Sequence, residues 1–135
     1  MKILVIEDET KVASFLRKGL QQSGYEVDIA ANGEEGQDKF RAGEYDLILL
    51  DLVIPEMSGL DVLKELKQSG KYDPLVKVVI FSNLSDKSEQ DKAFALGADG
   101  FISKSQSSRM TSESFFSSAF SAGGLMPFNS MRYSF

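Results

Sequence analysis

The chain has 135 residues and a net charge of −5, and 42% of its residues are apolar while 26% are charged, as in an ordinary single soluble domain. It contains no histidine and no cysteine, which excludes imidazole and thiolate chemistry and disulfide bonds. No basic run predicts binding to nucleic acid or to an anionic membrane, and no apolar segment is long enough for a signal peptide or a membrane span. We therefore expect a cytoplasmic protein whose chemistry uses carboxylates, hydroxyls, lysine and a hard cation.

Short apolar runs alternate along the chain with segments of helical period. The runs predicted as strands cover residues 3–6, 27–30, 47–50, 76–81 and, more weakly, 100–103. The helix between the first two runs is predicted from a stripe of apolar residues: Val12, Phe15, Leu16 and Leu20. The three later helices are predicted from capping residues at their starts, which are Asn32, Ser58 and Ser85, and from glycines near their ends, which are Gly43, Gly70 and Gly97.

Strands that alternate with helices predict a parallel sheet, because parallel strands need a crossover connection. The continuous apolar runs LILL and VVIF indicate a sheet that is covered on both faces. The expected fold is therefore a small α/β domain with a doubly wound, five-stranded parallel sheet. In such folds ligands bind beyond the carboxyl ends of the strands.

Polar residues stand at these predicted strand ends. Glu7 and Asp8 follow the first strand, Asp51 the third, Ser82 the fourth, and Lys104 lies just beyond the fifth. Neighbouring parallel strands are about 5 Å apart, so these groups are expected to converge. Carboxylates gathered at one place favour Mg²⁺ or Mn²⁺, while a lysine and a hydroxyl suit phosphoryl oxygens. A carboxylate also acts as a nucleophile toward phosphorus, so the predicted pocket suits phosphoryl transfer.

Each of these residues also has an ordinary structural interpretation. Asp8 could cap the first helix, Asp51 could be a turn residue before a proline-containing loop, and Ser82 could be a loop residue. A single lysine such as Lys104 usually faces solvent, and Phe101 alone would be assigned to the core. The functional interpretation is favoured by their joint placement at one edge of the sheet.

Four motifs together resemble the receiver domain of bacterial two-component response regulators over residues 1–104. They are ILVIEDE, LLDLVIPEMSGLDVL, VVIFSN and GADGFISK, in the order and spacing of that family. The resemblance implies the flavodoxin-like (βα)5 receiver fold and a phosphoprotein that signals in a phosphorelay. It also implies a set of roles: Asp51 as phosphoacceptor, Ser82 and Lys104 as phosphoryl contacts, Ser82 and Phe101 as switch residues, and Glu7, Asp8, Asp51 and the Val53 carbonyl as Mg²⁺ ligands.

The same resemblance implies a phosphoryl donor in trans, since the chain has no histidine of its own. The expected donor is a phosphohistidine on a histidine kinase or a histidine phosphotransfer protein, and the output partner is not identified by the sequence. We expect no enzyme activity beyond the chain's own phosphoryl transfer and slow autodephosphorylation. The expected assemblies include a homodimer, either through the face of the fourth helix, fifth strand and fifth helix or through the C-terminal tail.

The sequence departs from the family at three places. Asn83 stands where a small residue is usual, and Ser105 stands where proline is common. Residues 105–135 hold ten serines and five of the ten phenylalanines but only three charged residues, so we predict an atypical fifth helix near 111–122 followed by an apolar tail. Three interpretations stay open: the segment packs as a fifth helix, residues 123–135 form a hydrophobic arm that docks on a partner or a second copy, or this end is foreign to the domain.

Two other functions stay open at this point. One is a receiver-like interaction or assembly module, in which the hydrophobic tail drives oligomerisation or partner docking. The other is a carboxylate-nucleophile phosphohydrolase, which typically needs a second aspartate two residues after the nucleophile. Val53 occupies that position and argues against it.

Overall fold

A computed structural model describes residues 2–54, 57–72, 75–82 and 87–103 of the chain. Five strands are present in this part: β1 (Lys2–Ile6), β2 (Glu26–Ala30), β3 (Leu47–Leu50), β4 (Lys77–Ser82) and β5 (Gly100–Ser103). Four helices connect them: α1 (Thr10–Gln22), α2 (Gly33–Ala42), α3 (Gly59–Gln68) and α4 (Lys87–Ala95).

The strands form one parallel sheet in the order β2-β1-β3-β4-β5. This is the flavodoxin-like order, in which the chain reverses its direction of winding between β1 and β3. The predicted α/β class, the doubly wound five-stranded sheet and the flavodoxin-like topology are confirmed. The reversal point lies where the ends of β1 and β3 are neighbours, which are the ends that carry Glu7, Asp8 and Asp51.

Both faces of the sheet are buried, as the continuous apolar strands predict. Alternate strand residues point to opposite faces, so each strand contributes to two separate cores. The first core lies under α1 and includes Ile3, Val5, Leu16, Leu20, Leu49, Val79 and Ile102. The second core lies under α2, α3 and α4 and includes Leu4, Ile6, Ile48, Leu50, Val62, Leu63, Ile80 and Ala93. The rigid layer between the helices is therefore β1, β3 and β4, which present the polar residues at their ends.

Local signals account for the helix boundaries. Asn32 caps α2 by accepting a hydrogen bond from the Glu35 backbone N–H at 2.8 Å, and Ser58 caps α3 by accepting one from the Leu60 N–H at 3.1 Å. Gly97 follows α4 with a φ of 109°, in the left-handed region that favours glycine. These three boundaries agree with the sequence prediction.

The structure differs from the predicted elements in small ways. β4 is shifted by one residue, so Ser82 is its last residue and not a loop residue. The N-cap of α1 is Glu9, so the interpretation of Asp8 as that cap is wrong. Phe15 belongs to the predicted apolar stripe of the first helix, yet 38% of its surface is exposed, because the buried side of α1 is formed by Ala13, Leu16, Gly19 and Leu20.

Several predictions fall outside the described residues. These are the placements of Asn83, Ser85, Lys104 and Ser105 and of the helix at 111–122. The division of the chain at residue 104 therefore stays a prediction. Within the described ranges, no helix combines the length and the apolar character that crossing a membrane requires.

Candidate functional site

The ends of β1 and β3 continue the ladder of the sheet by one residue. The Glu7 N–H donates to the carbonyl of Ala30 at 2.9 Å, and the Asp51 N–H donates to the carbonyl of Ile6 at 3.0 Å. The backbone that carries both carboxylates is therefore held by the sheet itself, not by a free loop. This gives the two side chains fixed starting points at the carboxyl edge.

Glu7, Asp8 and Asp51 form a carboxylate cluster at this edge. One carboxylate oxygen from each residue lies within 4.8 Å of the others. Glu7 and Asp51 are almost fully buried, with 2% and 3% of their surfaces exposed, whereas Asp8 is exposed. The cluster therefore has two buried members and one member open to solvent, which leaves an approach from outside.

Backbone N–H groups orient the two buried carboxylates. Oε2 of Glu7 accepts a hydrogen bond from the Glu9 N–H at 2.9 Å, and Oδ1 of Asp51 accepts one from the Val53 N–H at 3.0 Å. Both bonds join residues two apart, as in an Asx-type turn. The turn after each strand thus fixes the direction of the carboxylate that precedes it.

The start of α3 packs directly on the backbone that follows Asp51. The Gly59 N–H donates to the Leu52 carbonyl at 2.9 Å. A Cβ atom at Gly59 would lie 2.5 Å from the Leu52 Cα and closer still to the Asp51 carbonyl oxygen. Glycine is required here because any side chain would displace the segment that holds Asp51 and Val53.

Ser82 and Phe101 lie on the neighbouring strands. The last residues that pair between β3 and β4 are Leu50 and Ile80. β4 continues for two more residues and ends at Ser82, which is fully buried. β5 pairs Phe101 with Ile80, and Phe101 is partly buried against the second core. The sheet order therefore brings Asp51, Ser82 and Phe101 onto adjacent strands, while Lys104 lies outside the described residues.

The chemistry of the cluster fits a hard divalent cation. Carboxylates held this close repel one another, and the repulsion is relieved by a cation or by protonation. Oxygen donors from two or three carboxylates and a backbone carbonyl are the ligands that Mg²⁺ and Mn²⁺ prefer. The residues present thus satisfy the donor requirement of such an ion.

Comparison with known proteins agrees with this geometry. A family model described as the response regulator receiver domain matches residues 3–113. The chain belongs to this family. It is 36% identical over 104 residues to the transcriptional regulatory protein CusR of Escherichia coli K12, a match that covers 77% of this chain and 44% of CusR. This receiver domain thus spans less than half the length of that relative.

Two solved structures of response regulators resemble this fold. The response regulator TrrA of Thermotoga maritima, in complex with Mg²⁺-BeF, is 37% identical, with a TM-score of 0.67 over 76% of this chain and 85% of TrrA. The chemotaxis response regulator CheY4 of Vibrio cholerae has a TM-score of 0.79 over 90% of this chain and 97% of its own. At 23% identity, the second likeness concerns the fold alone. The predicted resemblance to receiver domains is therefore confirmed.

The structure also contains an ion pair that the sequence did not point to. Nζ of Lys67, near the end of α3, lies 3.0 Å from Oδ2 of Asp99, just before β5. The available signals were weak: an aspartate directly before a strand and a lysine in the last turn of a helix are both common on protein surfaces. The contact depends on how α3 packs beside β4 and β5, and no local sequence pattern predicts this packing.

Proposed function

We propose that this receiver domain is a phosphorylation-dependent signalling switch that accepts a phosphoryl group on Asp51. The observation that supports the proposal most directly is the burial of Asp51 within 4.8 Å of Glu7 and Asp8, at the end of a central strand. A buried carboxylate fixed by the sheet and by the Val53 N–H is positioned for attack and loses little freedom on reacting.

In the proposed reaction a carboxylate oxygen of Asp51 attacks the phosphorus of the donor. A P–O bond forms at Asp51 while the bond from phosphorus to the donor breaks, and the bonding electron pair leaves with the donor. Hydrolysis by water later releases inorganic phosphate and restores the Asp51 carboxylate. The Ser82 hydroxyl is assigned to donate a hydrogen bond to a phosphoryl oxygen, and Lys104 to pair with another.

Mg²⁺, or Mn²⁺ in its place, would be held by Glu7, Asp8, Asp51 and the backbone carbonyl of Val53. When bound, it supplies the positive charge that offsets the carboxylates and the incoming phosphoryl oxygens. Glu7 is kept in position by its bond from the Glu9 N–H, and Asp51 by its bond from the Val53 N–H. Asp8, the exposed member, completes the group on the solvent side.

The switch is assigned to Ser82 and Phe101. The new phosphoryl group would draw Ser82 toward it, and Phe101 would turn inward from its half-buried position. Because Phe101 already packs against the second core beside α4, this motion would alter the surface formed by α4 and β5. We propose that this surface, completed by the predicted fifth helix, is what an output partner or a second copy recognises.

The donor is proposed to be a phosphohistidine of a histidine kinase or a histidine phosphotransfer protein. The absence of histidine from the chain supports a donor in trans. A small phosphodonor such as acetyl phosphate should replace it in vitro, because a receiver domain supplies most of the chemistry of its own phosphorylation.

The test is phosphorylation of the wild-type chain by acetyl phosphate, measured by intact mass with Mg²⁺ and with excess EDTA. We expect one hydroxylamine-labile phosphoryl group with Mg²⁺ and none with EDTA. Asp51→Asn should gain none under either condition. Asp38→Asn, which changes an exposed carboxylate paired with Arg41 on the same helix, is the matched control and should behave as wild type.

Two results would contradict the proposal. One is a phosphoryl group that Asp51→Asn still acquires with Mg²⁺. The other is wild-type phosphorylation that is indifferent to EDTA, since the carboxylate cluster then plays no part. The alternative of a tail-driven assembly module depends on residues 105–135, and nothing in the described part of the chain favours it. The phosphohydrolase alternative would need an acid/base group at Val53, whose side chain is hydrocarbon.

A further inference from the structure

The amino end of β5 is held by a small polar group that we call the β5 clasp, formed by Lys67 and Asp99. Oδ2 of Asp99 accepts a hydrogen bond from the Val78 N–H at 2.8 Å, and the Asp99 N–H donates to the Val78 carbonyl at 2.8 Å. Nζ of Lys67 lies 3.0 Å from the same Oδ2 and donates to the Val76 carbonyl at 2.8 Å. One lysine thus ties the end of α3 to the start of β4 and the start of β5.

The clasp is shielded from water and fits closely. Only 13% of the Lys67 side chain and 23% of the Asp99 side chain are exposed. The stem of Lys67 passes over Gly97, where an added Cβ would lie 3.1 Å from both Cβ and Cγ of the lysine. A largely buried pair with additional backbone hydrogen bonds differs from a surface ion pair, which contributes little to stability.

The hydrophobic pattern of β5 does not fix its register on β4. The strand has four residues, and its first, Gly100, has no side chain. Ile102 points into the first core and Phe101 packs against the second, so each face of the sheet accepts an apolar residue from β5. An apolar pattern specifies the register of a strand when one face is buried and the other is solvated, and β5, with one apolar residue toward each core, offers no such contrast. The first residues that pair between β4 and β5 are Val79 and Gly100. The two hydrogen bonds between Asp99 and Val78 fix the pairing one residue before them.

From this we infer that Lys67 and Asp99 are positioning residues for phosphoryl transfer, because they set the register of β5 and so the place of Phe101 and of the strand's carboxyl end. A shift of one residue would move that end by about 3.3 Å and exchange the faces of Phe101 and Ile102. Ser103 now pairs with Ser82, and Lys104, the proposed phosphoryl contact, is the next residue in the sequence. The expected effect of the clasp on phosphoryl transfer rests on the proposed function, whereas its expected effect on the register of β5 does not.

The test uses Lys67→Met, which keeps most of the stem and removes the charge. With acetyl phosphate, we expect the maximal phosphorylation rate to fall by about tenfold to 100-fold. The concentration of Mg²⁺ that gives half the maximal rate should not change, because Glu7, Asp8 and Asp51 follow the ends of β1 and β3, away from the clasp. Hydrogen exchange should become faster at the Val78 and Asp99 amides. A change that only loosened the whole fold would alter the Mg²⁺ dependence as well.

Two further variants serve as a rescue and as a control for Lys67→Met. Lys67→Arg keeps a cation beside Asp99 and should restore most of the rate, which keeps the test decisive if Lys67→Met folds poorly. Lys71→Met removes an exposed ion pair with Glu65 near the same end of α3 and should leave both the rate and the two amides unchanged.

The inference is overturned if Lys67→Met phosphorylates at the wild-type rate, or if the Val78 and Asp99 amides keep their protection. It is also overturned if Lys67→Arg is as slow as Lys67→Met, since the cation would then not be the cause. A wild-type chain that gains no phosphoryl group refutes the proposed function instead, and amide exchange alone then decides whether the clasp sets the register.

Discussion

Replacing Gly59 by alanine tests whether the start of α3 holds Asp51 in position. The new Cβ would lie 2.5 Å from the Leu52 Cα, whereas carbon atoms in contact are ordinarily about 3.5 Å apart. The helix or the segment after Asp51 must therefore retreat by about 1 Å. Both contacting groups are backbone, so no rotation of a side chain can relieve the overlap.

The magnitude follows from two opposing terms. Overpacking of this kind destabilises a protein by about 1–3 kcal/mol, and alanine gains up to about 1 kcal/mol of helix propensity over glycine. We expect a net loss of about 1–2 kcal/mol in the free energy of unfolding. A displacement of about 1 Å at a reacting group lowers a rate by up to about 100-fold, so phosphorylation should suffer more than stability does.

The assays are urea unfolding and phosphorylation by acetyl phosphate under conditions in which the variant is folded. Gly36→Ala is the matched control, because Gly36 is also a buried helical glycine but its added Cβ would meet the Ile6 side chain, with Cδ1 at 2.6 Å. That side chain can rotate, so we expect a smaller loss of rate. Equal effects of the two substitutions, or an unchanged rate for Gly59→Ala, would refute the argument that Gly59 positions Asp51.

Two further predictions concern stability. Asn32→Ala removes the cap that accepts the Glu35 N–H, so the free energy of unfolding should fall by about 1 kcal/mol in urea titrations; no change would mean that the cap contributes nothing. Burial and the hydrogen bond to Asp28 raise the pKa of Tyr45 well above its usual value near 10, and burial raises the pKa of Tyr25 to about 12. A raised pKa means that the folded state holds the proton more tightly, so stability is fully present below about pH 10 and falls as the pH rises above that value. Tyr45→Phe should therefore show a shallower loss of stability as the pH rises above about pH 10, and an unchanged slope would contradict the assignment.

The sequence was sufficient for the architecture because its local signals agree with one another. The apolar runs define the strands, the capping residues Asn32 and Ser58 define two helix starts, and the alternation of strands and helices implies a parallel sheet. Since the carboxyl ends of parallel strands meet at one edge, the cluster of Glu7, Asp8 and Asp51 followed without any knowledge of distances.

What the sequence did not indicate depends on packing between distant elements. The β5 clasp forms because the end of α3 lies beside β4 and β5. No local sequence pattern predicts the angle at which a helix crosses a sheet, so this contact could not be predicted.

The two edges of the sheet use the same residue type for different purposes. At the amino edge, Asp46 precedes β3 and accepts a hydrogen bond from the Lys2 N–H at 2.8 Å, as Asp99 does from Val78. Each of these carboxylates binds the first or second N–H of the neighbouring strand and so fixes the pairing of its own strand. At the carboxyl edge, Asp51 takes its N–H bond from the turn after it, and two more carboxylates lie beside it.

An aspartate bound to a neighbouring strand has its charge matched to a backbone donor and has a structural role. One oxygen of each of Glu7, Asp8 and Asp51 instead lies within 4.8 Å of the others, and like charges at this distance repel one another unless a cation compensates them. The segment DLILLD, from Asp46 to Asp51, holds both kinds of aspartate at the two ends of one strand. The neighbours that the sheet gives each residue therefore distinguish the carboxylates that fix strand pairing from the one that we propose as the phosphoacceptor.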